Sequence, residues 1–270
     1  MLDYDRYREN LVIEADKKDA RILRVSLNNP EKLNANTNHM HWSLSRIWDD
    51  IDADDDVHLV VFSGVGDRAF SAGGDPQHML EMADEYALWW KTVREAKRII
   101  YNMLECDVPI IARLNGHAVG LGATLALASD IIIGVEDARF GDPHVHAGLV
   151  CGDGGALLWP QQIGYARAKE LLFTGELLSM SEAAEIGLIN YAVPREELDA
   201  KVDAIAHKIV NGASRAIRLT KNLMNVPLRQ AAHATMDLGM ANETLSTMAA
   251  DHREAIASML EKRKPVFDGQ

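Results

Sequence analysis

The chain has 270 residues and a formal net charge of −12, from 28 Lys plus Arg against 40 Asp plus Glu. That balance repels phosphate polymers and anionic bilayers, which disfavours nucleic acid or a membrane as partner; it leaves room for a small anion held by a local basic cluster, and "EKRK" at 261–264 reads either as such a cluster or, by sequence alone, as a solvated helix end. No apolar run of about 20 residues is present to cross a bilayer, the start "MLDYDRYREN" is charged throughout, and Cys106 and Cys151 are too few for a disulfide framework, so a reducing cytoplasm is the expected setting.

Along the chain, "LVIEADKKDARILRVSLNN" (11–29) reads as a β-hairpin, two β-branched runs around a charged turn. Trp42, Leu44, Ile47, Trp48 and Ile51 recur at helical spacing. "HLVVFSGVG" (58–66) is a buried strand running into a glycine turn, and a long helix is expected at roughly 83–105, with Leu88, Trp89, Val93, Ala96, Ile100 and Leu104 on one face. The strand in "DVPIIARLNG" leads into a turn at Asn115–Gly116, then a glycine-rich helix, "VGLGATLALASD", and the strand "IIIGVED". Ser179 and Glu182 have capping-box spacing, and Gly187 stands where a left-handed residue belongs. From Leu198 onward the pattern is helical. Strands alternating with helices up to residue 197 imply an α/β core with crossover connections, and 198–270 forms a helical C-terminal region. Leu219, Leu223, Leu238, Leu245 and Ile256 give that region more apolar surface than it needs to cover itself, which suggests docking onto the core or a second subunit. No CxxC or clustered Cys/His spacing points to a structural metal.

Two strand-to-turn-to-helix passages carry glycine, "FSAGGD" (70–75) and "HAVGLGATLAL" (117–127). Glycine there permits either tight strand–helix packing or close approach of the backbone to a ligand. If the turns face each other, one N–H from each forms a hole for an oxyanion, the second at the positive end of a helix.

With "AFSAGGD", "VPIIARLNGHAVGLGATLALASDIII", "ARFGDPHVHAGL" and "AKELLFTGELLSMSEAAEIGLINYAV" in this order, and the ending "EKRKPVF", the chain resembles the enoyl-CoA hydratase/isomerase (crotonase) superfamily over roughly 11–267. The resemblance implies a ββα spiral core and a helical C-terminal region that builds trimers or dimers of trimers. It also implies acyl-CoA thioester substrates, with coenzyme A part of the substrate and no separate cofactor. The two oxyanion-hole amides fall on Gly74 and Leu121; a leucine does no harm there because the backbone N–H does the work. Ala72, Asp75, Gly120 and Thr124 fall on the substrate-binding turns, with Asp75 expected to cap the segment that follows. Lys262, Lys264 and Phe267 are candidates for holding CoA, in this chain or from a neighbouring subunit.

Hydratases of the family carry two glutamates. Their positions hold Thr124 and His144 here, so a two-carboxylate water addition is not expected. His144, with Asp153 nine positions on, makes a competent base near neutral pH, the carboxylate fixing the ring and stabilising imidazolium. This pair, with Glu243 in "LGMANE" and His41, is similar to 6-oxocamphor hydrolase, a crotonase homologue that cleaves a cyclic β-diketone without CoA. The likeness breaks at Asn36 and Leu121, where that enzyme has tryptophan and histidine. Cys151, among apolar residues and glycine, reads as an inert thiol. His39, His117 and His146 read as structural. The expected function is an enzyme that stabilises an enolate or tetrahedral oxyanion on an acyl-CoA, with His144 as base oriented by Asp153. The alternatives are a CoA-independent β-diketone hydrolase and a non-catalytic acyl-CoA binder.

Overall fold

The computed structural model describes residues 2–269. The hairpin of β1 (Leu11–Ala15) and β2 (Ile22–Leu27) leads to α1 (Asn38–Asp52), whose first turn is capped by Thr37 accepting from Met40 N. Three strand–strand–helix units follow. The first is β3 (Leu59–Gly64), β4 (Ala69–Ser71), α2 (Pro76–Asp84) and α3 (Tyr86–Glu105). The second is β5 (Ile110–Leu114), β6 (His117–Val119) and α4 (Leu121–Leu127). The third is β7 (Ile131–Val135), β8 (Arg139–Gly141), α5 (Gly155–Ile163) and α6 (Tyr165–Thr174). After β9 (Leu178–Ser179), α7 (Met180–Glu185) and β10 (Tyr191–Val193), the chain is helical: α8 (Leu198–Val210), α9 (Ser214–Met224), α10 (Val226–Thr247) and α11 (Ala250–Glu261).

Each unit sends its first strand to one sheet and its second to another. The larger sheet runs β1-β2-β3-β5-β7-β10, parallel except for the opening hairpin, and the smaller runs β4-β6-β8-β9. This is the ββα spiral that the resemblance implies. Between the layers lie Trp48, Phe62, Phe70, Phe140 and Trp159, all fully buried, with Phe62 packed edge-on against both Trp48 and Phe70.

The expected hairpin, the capping box on α7 and the left-handed Gly187 (φ +77°) are all present. The long helix expected at 83–105 is present as α3, starting at Tyr86 because Glu85 is extended (φ −121°, ψ 98°) and separates it from α2. α2 starts where Asp75 accepts from Gln77 N, with Pro76 at the first helical position, so Asp75 is the cap expected of it. Ile256 is fully buried, whereas Leu219, Leu223, Leu238 and Leu245 stand 64–71% exposed.

Candidate active site

β4, β6 and β8 are adjacent and parallel, with Ser71 level with Ala118 and Val119 level with Gly141. Their C-terminal ends therefore deliver three turns to one edge of the small sheet: 72–74, the Gly120–Leu121 step into α4, and 142–144. The first two touch. Gly73 has φ +87°, and a Cβ there would lie 2.8 Å from the Val119 carbonyl oxygen, so only glycine lets these backbones meet. The Gly74 and Leu121 N–H groups have no hydrogen-bond acceptor among the described residues. Both residues line a cavity of about 410 Å³, and Leu121 opens α4, where unpaired N–H groups gather.

His144 enters the same cavity from the third turn. Its Cε1 lies 3.9 Å from where a Cβ on Gly120 would stand, which sets the imidazole beside the second turn. Its Nδ1 is hydrogen-bonded to Asp142 Oδ1, and its Nε2 stands 3.7 Å from Asp153 Oδ2. Asp153 comes from the loop before α5 and Glu243 from α10, and both line the cavity. The sequence pairing of His144 with Asp153 is thus met in space, but with a correction. The carboxylate that holds the ring is Asp142, and Asp153 faces the opposite nitrogen at a distance too long for a direct hydrogen bond.

The electrostatics follow from burial. Desolvation would push His144 down, but Asp142, Asp153 and Glu243 outweigh it and hold the imidazole well above its usual 6.5. Burial, partly countered by His144, raises Asp153 above the usual carboxylate range. Burial and then the charge of Asp153 push Glu243 up to about 8. The neighbouring carboxylates therefore favour the protonated form of the His144 ring, and burial favours the protonated form of Glu243. Across the cavity, burial takes His41 down to about 4 and keeps it neutral. Asp142, His144 and Asp153 offer ligand atoms within 4.8 Å of one another, as a divalent cation would require, although Asp142 already engages one ring nitrogen.

Ala72, Asp75, Gly120 and His41 line the cavity as expected. Thr124 does not. It is fully buried, packs its methyl toward Gly154, and its hydroxyl has no partner among the described residues. Lys262, Lys264 and Phe267 are also absent from this wall. Lys262 turns the chain with φ +55°, Arg263 pairs with Glu254, and Val266 N and Asp268 N donate to Glu254 and Asp251, which folds the tail back along α11. The cysteine reading holds, since burial followed by Asp142 and Asp153 pushes the Cys151 thiol up to about 12.

Sequence reasoning missed three residues. Asp142 carried a signal, an aspartate before Pro-His that can accept from the N–H two residues on. Lys32 sits at the mouth, paired with Asp75 at 2.5 Å, and Trp89 on α3 lines the wall while donating to Thr244 on α10. Neither could be linked to the site by spacing alone.

The family model "Enoyl-CoA hydratase/isomerase" matches residues 17–270. A crotonyl-CoA hydratase from Syntrophomonas wolfei is 30% identical, with 96% of this chain and 98% of that protein covered. Among solved structures, an enoyl-CoA hydratase/isomerase from Mycobacterium paratuberculosis superposes with a TM-score of 0.87 at 35% identity, covering 92% of this chain and 98% of the other. A β-diketone hydrolase from Anabaena bound to (S)-3-oxocyclohexyl acetic acid gives 0.82 at 28% identity, with 92% and 98% covered. The spiral of paired strands, the two glycine turns meeting over one cavity and the family match across nearly the whole length place this chain in the enoyl-CoA hydratase/isomerase family.

Proposed function

We propose that the protein is an enzyme acting on an acyl-CoA thioester by hydratase or isomerase chemistry, with His144 and Asp153 in the place of the family's two glutamates. The observation that carries this is the meeting, on one cavity wall, of two free backbone N–H groups with an imidazole and a carboxylate that can move protons. In hydration, Asp153 takes a proton from water as its oxygen bonds to the β-carbon. The electron pair of the double bond moves toward the thioester oxygen, where the Gly74 and Leu121 N–H groups receive the charge. His144 then gives its Nε2 proton to the α-carbon. Isomerisation uses the same parts without water: a proton leaves one carbon of the enolate system and returns to another. Met79, Met82, Leu149 and Met240 supply apolar walls for the acyl chain, and Lys32 is a cation at the mouth for a CoA phosphate. No further cofactor is assigned. We place the protein in the cytoplasm as a homotrimer or dimer of trimers, with the exposed leucines of α9 and α10 between subunits.

A second reading has its own support. The His–Asp arrangement and the likeness to the Anabaena β-diketone hydrolase fit a hydrolase in which Asp153 and His144 direct water onto a ketone and release an enolate of the cleaved chain, without CoA. One panel separates the two. Enoyl-CoA, 3-oxoacyl-CoA and cyclic 1,3-diketones are incubated with the protein and followed by mass spectrometry, beside thermal-shift titration with free CoA. Thermal stabilisation by CoA together with a hydrated or isomeric thioester supports the thioester reading. Indifference to CoA with cleavage of a diketone replaces it with the hydrolase, and wild-type turnover matched by His144→Ala on every substrate removes both.

A further inference from the structure

The carboxylates around His144 do not stand in equivalent places. Asp153 and Glu243 line the cavity together with the imidazole, whereas the Asp142 side chain is completely shielded from solvent and does not reach the cavity wall. Asp142 holds its neighbour twice. Its Oδ1 accepts from the His144 ring at Nδ1 and, at 3.4 Å, from the His144 backbone N–H across the intervening Pro143. Strand β8 ends one residue before it, so the carboxylate hangs from the small sheet rather than from a loose loop.

The far side of Asp142 is closed by a glycine. A Cβ on Gly155, the first residue of α5, would overlap Asp142 Oδ2 and come within 3.0 Å of Cys151 Cβ. Gly155 has no positive φ, so its backbone conformation gives no reason for glycine there. The reason is the space taken by the carboxylate.

We infer that Asp142 is the positioning residue of this site: it anchors Nδ1–H of His144, which leaves Nε2 as the nitrogen that gives and takes the proton facing Asp153 and the substrate. Asp142 touches no substrate in this arrangement. It acts through the ring, as the buried aspartate of a catalytic triad acts through its histidine. Asp153 is thereby released from the orienting role and left free to handle water.

The inference rests on the proposed reaction only in naming Nε2 as the reacting nitrogen, and it is tested without a substrate. The full-length protein is labelled with ¹⁵N-histidine, and the two ring nitrogens of His144 are followed by long-range ¹H–¹⁵N correlation across pH, with His144→Gln for assignment. The titratable groups facing this ring are Asp142, Asp153 on the loop before α5, and Glu243 on α10. In the wild type, the Nδ1 proton exchanges with water more slowly than the Nε2 proton, and Nδ1 keeps its proton when the ring becomes neutral. Asp142→Asn lowers the titration midpoint by about one to three pH units and moves part of the neutral form to Nε2–H. Asp153→Asn also lowers the midpoint yet leaves the neutral form on Nδ1–H. Gly155→Ala displaces the carboxylate without removing its charge and redistributes the neutral form as Asp142→Asn does.

With any substrate that the panel identifies, Asp142→Asn lowers kcat on the order of 10²- to 10⁴-fold while KM changes little, the split expected of a residue that acts on proton transfer rather than binding. A wild-type ring whose protected proton sits on Nε2 overturns the inference, and this measurement does not depend on the Asp142→Asn variant folding. So does a folded Asp142→Asn protein with the wild-type midpoint and proton distribution. Clean NMR behaviour with no turnover of any substrate would instead fault the proposed function and leave the positioning role standing.

Discussion

Glu243 is an acid whose proton is held in place by where it sits. Buried beside Asp153 and His144, with Oε2 unpartnered among the described residues, it keeps its proton up to a pH of about 8 in the folded chain. An unfolded chain releases that proton near 4.5, so between those values the folded state binds the extra proton and stability falls as pH rises. Glu243→Gln removes this dependence. Its melting temperature relative to wild type should be nearly unchanged at pH 5 and should rise toward pH 8, by about 2–4 °C for each kcal/mol recovered. If Glu243 serves as a neutral hydrogen-bond donor, Glu243→Gln retains most of the activity, and loss of all activity at pH 7 would mark it instead as a working carboxylate. Thr124 gives the opposite kind of test. Its buried hydroxyl has no partner among the described residues and lies away from the cavity, so Thr124→Val should keep activity and melt at the same temperature or higher, a gain of up to about 1 kcal/mol. A steady-state assay that finds this variant inactive would return Thr124 to the site. His144 was legible because it stands at a family glutamate position within a glycine-rich segment. Asp142 was not singled out, because only the folded turn brings its carboxylate under Nδ1.

At the scale of elements, the site is a consequence of three short parallel strands ending side by side. β4, β6 and β8 have three residues each, too few to show the alternation that identifies a strand, and their turns were recognisable chiefly by glycine and by resemblance. Gly73 is the point where two of those turns come closest. Gly73→Ala should cost about 1–3 kcal/mol from backbone strain, and the Val119 carbonyl would have to move as well. Because Gly74 is the next residue, the same change should displace one hole amide and lower kcat on the order of 10²–10³-fold. Chemical denaturation together with the assay checks this, and an active, equally stable Gly73→Ala protein would show that the hole lies elsewhere. The expected long helix begins at Tyr86 rather than at 83, for a local reason that apolar spacing does not report. Asp75 and Pro76 start a separate helix early, and an extended residue ends it.

At the scale of the molecule, the helical region has two kinds of apolar residue that look the same in sequence. Ile256 is fully buried, and Met259 on the same helix, α11, lines the cavity. Leu219 and Leu223 on α9, with Leu238 and Leu245 on α10, remain exposed. If the proposed trimer forms through these leucines, Leu223→Glu combined with Leu238→Glu should leave monomers in analytical ultracentrifugation without unfolding the core, since neither side chain is packed in it. An unchanged sedimentation coefficient for this variant would remove these leucines from any subunit contact.

The sequence by itself determined the class of fold and the order of its units, and it named His144, Asp153 and Glu243 as candidates for the site. Apolar periodicity, caps and glycine turns are local, and their spacing is written in the chain. Tertiary structure decided which charge stands next to which. Asp142 rather than Asp153 secures the His144 ring, Thr124 is shut away from the cavity, and Lys262 and Lys264 turn back along α11. Those outcomes depend on strand register, on where a glycine leaves room for a carboxylate, and on burial that shifts proton affinity. Each of these quantities exists only after distant segments have packed.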